Sequence, residues 1–131
     1  MKENNKKLVG EWFKKAEDDE KAVENLLKEK GPFSVICFLS QQMAEKYLKG
    51  RLVFNGRKFR KTHDLGVILE LCKKIDKNFS KLEDDCDFLT RYYIATRYPG
   101  EFLEGISEKE ADKAFKKAKE LKEFILNKLK F

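Results

Sequence analysis

Apolar residues recur at intervals of three and four along most of the chain, and no stretch alternates with the period of two that a half-buried strand requires. The first periodic segment, roughly residues 5 to 30, repeats Val9, Trp12, Phe13, Ala16, Val23, Leu26 and Leu27 and stops at Gly31-Pro32, as an amphipathic helix with one buried face should. The second, roughly 33 to 53, repeats Phe33, Ile36, Cys37, Ser40, Ala44, Tyr47 and Leu48, while Val35, Phe38 and Leu39 carry apolar surface around its other side. A helix apolar around most of its girth is expected to be central in the fold or to lie at a subunit interface. Asn55-Gly56 marks a turn. Leu65, Ile68, Leu69, Cys72 and Ile75 then predict a short third helix, capped by the side-chain oxygen of Thr62 or of Asp64. Leu82, Cys86, Leu89 and Tyr93 predict a fourth, with Glu83, Asp84 and Asp85 at the end where the helix dipole favours acids. It is expected to end near Tyr98, because Pro99 disfavours the α conformation in the residue before it. Ser107 and Glu110 have capping-box spacing and open a last helix through Ala111, Ala114, Phe115, Ala118, Leu121, Ile125 and Leu129. The expectation is an all-α antiparallel bundle of about five helices, forming a single domain over residues 1–131.

Composition narrows the function more than the fold. The longest apolar run, Val35 to Leu39, is far shorter than the roughly 20 residues of a membrane span or the roughly 7 to 15 of a signal-peptide core, so the expected setting is the cytoplasm, without membrane contact. Three cysteines without CxxC spacing fit reduced thiols packed as small hydrophobes. A single histidine excludes most His-based metal sites, and neither metal nor cofactor is expected. Phosphate-loop, dinucleotide-loop, nucleophile-elbow and HExxH motifs are all absent from the sequence. The acidic clusters Glu17-Asp18-Asp19-Glu20 and Glu83-Asp84-Asp85 lack the geometry of a calcium loop and read as solvated helix faces.

Charge is placed unevenly. Lys and Arg total 29 against 23 Asp and Glu, yet Lys46, Lys49, Arg51, Arg57, Lys58, Arg60 and Lys61 fall in residues 46–63 with no acid among them. Seven of the 29 removed leaves 22 basic against 23 acidic residues elsewhere, so the whole excess is local and suits phosphate groups. A second cluster runs from Arg91 to Pro99. On a helical wheel Arg97 falls near the stripe of Leu89 and Tyr93, at the mouth of the bundle, and Arg91 lies on the opposite face. A guanidinium there, with Tyr98 beside it, suits a nucleotide phosphate and base, or else caps a helix end. His63, alone beside a helix start, reads more readily as a capping or packing residue than as a catalyst.

Phe38-Leu39-Ser40-Gln41-Gln42-Met43-Ala44-Glu45-Lys46-Tyr47-Leu48-Lys49-Gly50, followed by Lys61-Thr62-His63-Asp64-Leu65 and Thr96-Arg97-Tyr98-Pro99, closely resembles the HEPN domain family, named for higher eukaryotes and prokaryotes nucleotide-binding. The resemblance runs from Trp12 through the last helix. It implies a five-helix all-α fold, usually a homodimer, often encoded beside a small nucleotidyltransferase and tied to nucleotide binding or RNA cleavage. Nuclease members of the family carry an arginine and a histidine with four to six residues between them near the penultimate helix. Here that region, Arg91 to Tyr98, contains no histidine. The resemblance is therefore to the non-nuclease branch. Gln41, Gln42 and Glu45 fall in the family motif and read plainly as helix packing.

Two functions follow from these residues. The first is a nucleotide- or nucleic-acid-end-binding accessory protein, with ATP or a similar nucleotide, or RNA, held by Lys61, Thr62, His63, Arg97 and Tyr98, and with a small nucleotidyltransferase as partner. The alternative is a toxin-like, metal-independent endoribonuclease with His63 as general acid or base and Arg57, at an allowed spacing, stabilising the phosphate. The first needs no catalytic residue and is preferred. A homodimer is expected, because five helices from one chain would leave part of the second helix wet.

Overall fold

The computed structural model describes residues 3–59, 61–95 and 105–129. Five α-helices lie among them: α1 (Glu3–Lys28), α2 (Phe33–Phe54), α3 (Leu65–Lys73), α4 (Glu83–Ala95) and α5 (Glu108–Lys128). No strand occurs among the described residues, and no helix there is long and apolar enough to cross a membrane. The all-α bundle expected from periodicity is the fold observed.

Local chemistry sets the helix ends. At the end of α1 the Gly31 N–H donates to Leu26 O and the Lys30 N–H to Leu27 O, at 3.0 and 3.2 Å, which closes the helix with a Schellman turn. Lys30, at φ 64°, holds the left-handed position usually given to glycine, and Gly31 follows at φ 124°. The same turn closes α2, with Gly56 left-handed and Arg57 N donating to Leu52 O at 2.8 Å. Of the two candidate caps for α3, Asp64 is used: its carboxylate accepts from Gly66 N and Val67 N, while Thr62 Oγ1 accepts from Asp64 N. Ser107 caps α5 through Glu110 N at 3.0 Å. The other half of the expected capping box is diverted, since the Glu110 carboxylate takes the Tyr92 hydroxyl from α4. Between α3 and α4 the chain makes a 3-10 turn, Lys77–Leu82, that periodicity did not anticipate; Asp76 caps it and Phe79 and Leu82 are buried in it.

α2 runs through the middle, against α1, α3, α4 and α5. Ile36, Cys37, Met43, Ala44, Leu48 and Leu52 have no exposed surface. Its core-facing side is thus covered within one chain, while on the other side Val35 is exposed and Phe38 and Leu39 are half-buried. Large exposed apolar side chains are the scattered Leu8, Val35 and Leu126.

Gly50 admits α1 to α2 at close range: a Cβ there would sit 2.4 Å from Phe13 Cε1. Alanine would gain about 0.5–1 kcal/mol of helix propensity and meet an overpacking cost of about 1–3 kcal/mol. Gly50→Ala is therefore expected to lower the denaturation midpoint despite the better helix former. A raised midpoint would mean that the Phe13 ring moves aside at no cost.

Two charge readings need correction. The acidic clusters are not simply solvated faces, for Asp19 pairs with Lys46 at 2.7 Å, Glu20 with Lys122 at 2.8 Å and Asp85 with Lys117 at 3.3 Å, tying α1 to α2, α1 to α5 and α4 to α5. Burial pushes the carboxyls of Asp19 and Asp85 up, against the pull of their lysines. The basic stretch is correspondingly less free. Lys46 is spent on Asp19, Lys49 is buried on Glu45, and buried Arg51 bonds Asn55 and lies 5.1 Å from the Phe79 ring centre. Arg57, Lys58 and Lys61 remain exposed, and Arg60 lies outside the described residues.

Candidate functional site

Gln41, Glu45 and Lys49 stand four residues apart on one edge of α2, all buried in an otherwise apolar surround. Glu45 is the hub. It accepts from Lys49 Nζ at 3.0 Å and from Gln41 Nε2 at 3.2 Å, and its two oxygens lie 3.0 and 3.1 Å from His63 Nδ1. A carboxylate paired with an ammonium only accepts, so Nδ1 carries a proton and donates, which turns the Nε2 edge of the ring away from Glu45. Gln41 Nε2 also donates to the His63 carbonyl at 3.1 Å, and Gln42 Nε2 donates to Gln41 Oε1 at 2.7 Å, which fixes the amide. Both the backbone and the ring of His63 are therefore latched onto α2.

α4 holds the same segment from the other side. Leu65 N donates to Thr90 Oγ1 at 3.1 Å. The His63 ring stacks on Tyr93 with centroids 3.9 Å apart and planes 17° from parallel, and Tyr93 stacks in turn on Phe38 at 6.3 Å and 25°. Between residues 61–64 on one side and Thr90, Arg91 and Tyr93 on the other opens a cleft of about 480 Å³. Among the described residues, Lys61 and Arg91 are the cations that line it. Asp64, the acid in its wall, is engaged by the first turn of α3. Another groove, of about 460 Å³, is lined by Lys58, Phe59, Val67, Glu70 and Leu71.

Lys61, Thr62 and His63 all line this cleft. Arg97 and Tyr98 lie outside the described residues. Arg57 is exposed just beyond α2 and does not line the cleft, whereas Arg91, set aside because it falls opposite the core stripe, does. An outward position is what a surface cleft draws on. Glu45 and Gln41 were also undervalued, although polar residues four apart on a buried helix were a signal, since such groups are retained only with partners.

Other chemistry is lacking among the described residues: no group of three or more His, Cys, Asp or Glu is placed to hold a metal ion. Burial pushes the Cys37 and Cys72 thiols up to about 12 and Cys86 further, so none is a ready nucleophile.

No curated protein matches the chain. Among solved structures, TT1696 from Thermus thermophilus is similar at 26% identity, over 92% of this chain and 98% of that one, with a TM-score of 0.78. ST0689, an archaeal HEPN homologue, is 27% identical over 93% of this chain and 98% of its own, with a TM-score of 0.73. The family model for the HEPN domain matches residues 9–129, taking in α2, the latched histidine and both walls of the cleft. This chain belongs to the HEPN domain family.

Proposed function

We propose that the chain is a nucleotide- or RNA-end-binding accessory protein of the non-nuclease HEPN branch, acting in the cytoplasm as a homodimer and as partner to a small nucleotidyltransferase. The observation that carries the reading is the imidazole of His63, locked by Glu45 and Tyr93 into a cleft whose cations, among the described residues, are Lys61 and Arg91, the latter with its guanidinium 5.0 Å from the Phe88 ring centre. Phosphate oxygens fit that set, because Arg91 offers a planar fork and Lys61 a point charge. Lys61, Thr62 and His63 keep the role their sequence pattern suggested, and Arg97 and Tyr98, two and three residues past the end of α4, remain candidates for the same ligand.

Calorimetric titration with ATP tests it. Arg91→Ala and Lys61→Ala should each weaken binding by about five- to 150-fold, the equivalent of about 1–3 kcal/mol for a charged hydrogen bond. Arg91→Lys should weaken it too, since an ammonium cannot reproduce a two-pronged contact. Equal affinities across all variants would place the phosphates elsewhere. Light scattering should report twice 15.5 kDa; a monomer at micromolar concentration would remove the homodimer.

One observation favours the endoribonuclease as a second reading: a carboxylate-backed imidazole whose Nε2 has no hydrogen-bond partner among the described residues is the arrangement a general acid or base needs. In that reading Arg91 takes the place first given to Arg57. RNA cleavage by the wild type that is lost in a folded His63→Ala protein would establish it.

A further inference from the structure

We propose that the ligand is a purine nucleotide whose base stacks on the exposed face of His63, extending the ring series Phe38, Tyr93 and His63 by one member; this rests on the reading that the cleft takes phosphates.

The argument is one of elimination around a single ring. Tyr93 covers one face of His63 at 3.9 Å, and Glu45 occupies the Nδ1 edge. The side chain nevertheless keeps 44% of its surface. With one face and the Nδ1 edge covered, we assign that exposure to the opposite face and the Nε2 edge, and His63 is among the residues that line the cleft. A flat ring with one free face, backed by two aromatic rings within 25° of parallel at each step, is a platform for another flat ring. The latch matters here. An imidazole free to rotate about its side-chain torsions would lose orientational entropy on accepting a base, whereas His63 is held by its ring nitrogen and its carbonyl before any ligand arrives. Lys61 and Arg91 border the same space, so a base on the platform leaves the phosphates beside cations. A cleft of about 480 Å³ lies within the range that small-molecule sites occupy. Purines overlap the platform over a larger area than pyrimidines and gain more from it.

Calorimetry with ATP, UTP and inorganic tripolyphosphate separates base from phosphate. ATP is expected to bind about five- to 150-fold more tightly than tripolyphosphate, the range of one base stacked on an aromatic side chain, with UTP between them. His63→Leu should bring ATP down to the affinity of tripolyphosphate, and His63→Phe should keep the preference for ATP, each variant being checked for native circular dichroism. Independently of any substitution, the adenine H2 and H8 resonances of bound ATP should move upfield in the ring current of His63. Equal binding of ATP and tripolyphosphate to the wild type would overturn the stacked base while leaving the phosphate cleft intact. No binding of either would remove the cleft reading and the stack with it. A His63→Leu protein that still prefers ATP would place the base elsewhere.

Discussion

Glu45→Ala will cost the fold about 3–5 kcal/mol, the toll of stranding one member of a buried ion pair. Lys49 Nζ, whose side chain keeps 6% of its surface, would lose its carboxylate and retain only the rings of Trp12 and Phe59, at 5.7 and 5.6 Å. Two cation–π contacts recover about 1–2 kcal/mol at such distances, less than the desolvation they would have to offset. Lys49→Met should cost less, because Glu45 would keep Gln41 and His63 as donors. Replacing the pair together, Glu45→Leu with Lys49→Met, should regain much of the loss, since an apolar pair of similar volume strands no charge. Urea denaturation of the four proteins gives the ordering. A Glu45→Ala protein within about 1 kcal/mol of wild type would mean that water reaches Lys49 in solution. The same variant frees the ring of His63, so it should also weaken ATP binding where it remains folded.

Thiol chemistry should show an even larger ratio. Cys37, Cys72 and Cys86 have no exposed surface, and burial drives their ionisation up, to about 12 for the first two. Against an ordinary thiol near 8.5, the thiolate available at neutral pH is lower by about three orders of magnitude. Steric exclusion multiplies that factor. Titration with a disulfide reagent at pH 8 is expected to find no reactive thiol in the native protein over minutes and three in urea. A native cysteine that reacts at the rate of a free thiol would show that its helix opens readily.

What the sequence carried well was local chemistry. Caps lie within three residues of the groups they satisfy, so Ser107 and the Gly56 turn could be read directly and the cap of α3 narrowed to Thr62 or Asp64. Helix faces were legible for the same reason, and α1 runs close to its expected span. The 3-10 turn at Lys77–Leu82 was not, since one short turn has no period to detect. Charge was misread where partners are remote in sequence. Lys46 meets Asp19 across 27 residues and Glu45 meets His63 across 18, so a run that looks like free positive field is partly neutralised by tertiary contacts. Arg91 lines the cleft because it lies opposite the core stripe, on the outward side that a surface cleft draws on.

The chain contains one tryptophan, and its position makes it useful. Trp12, on α1, meets Phe59 edge to face at 6.1 Å, and the ammonium of Lys49 lies over its ring. Phe59 sits two residues before Lys61 in the segment that forms one wall of the cleft, and Lys49 is bonded to the carboxylate that orients His63. Indole emission depends on nearby charge and on water contact, so the unlabelled protein contains an optical probe wired to both the wall and the latch. Excitation at the red edge of protein absorbance, where tyrosine is silent, would follow the seating of that wall in real time, by stopped flow, with no dye attached.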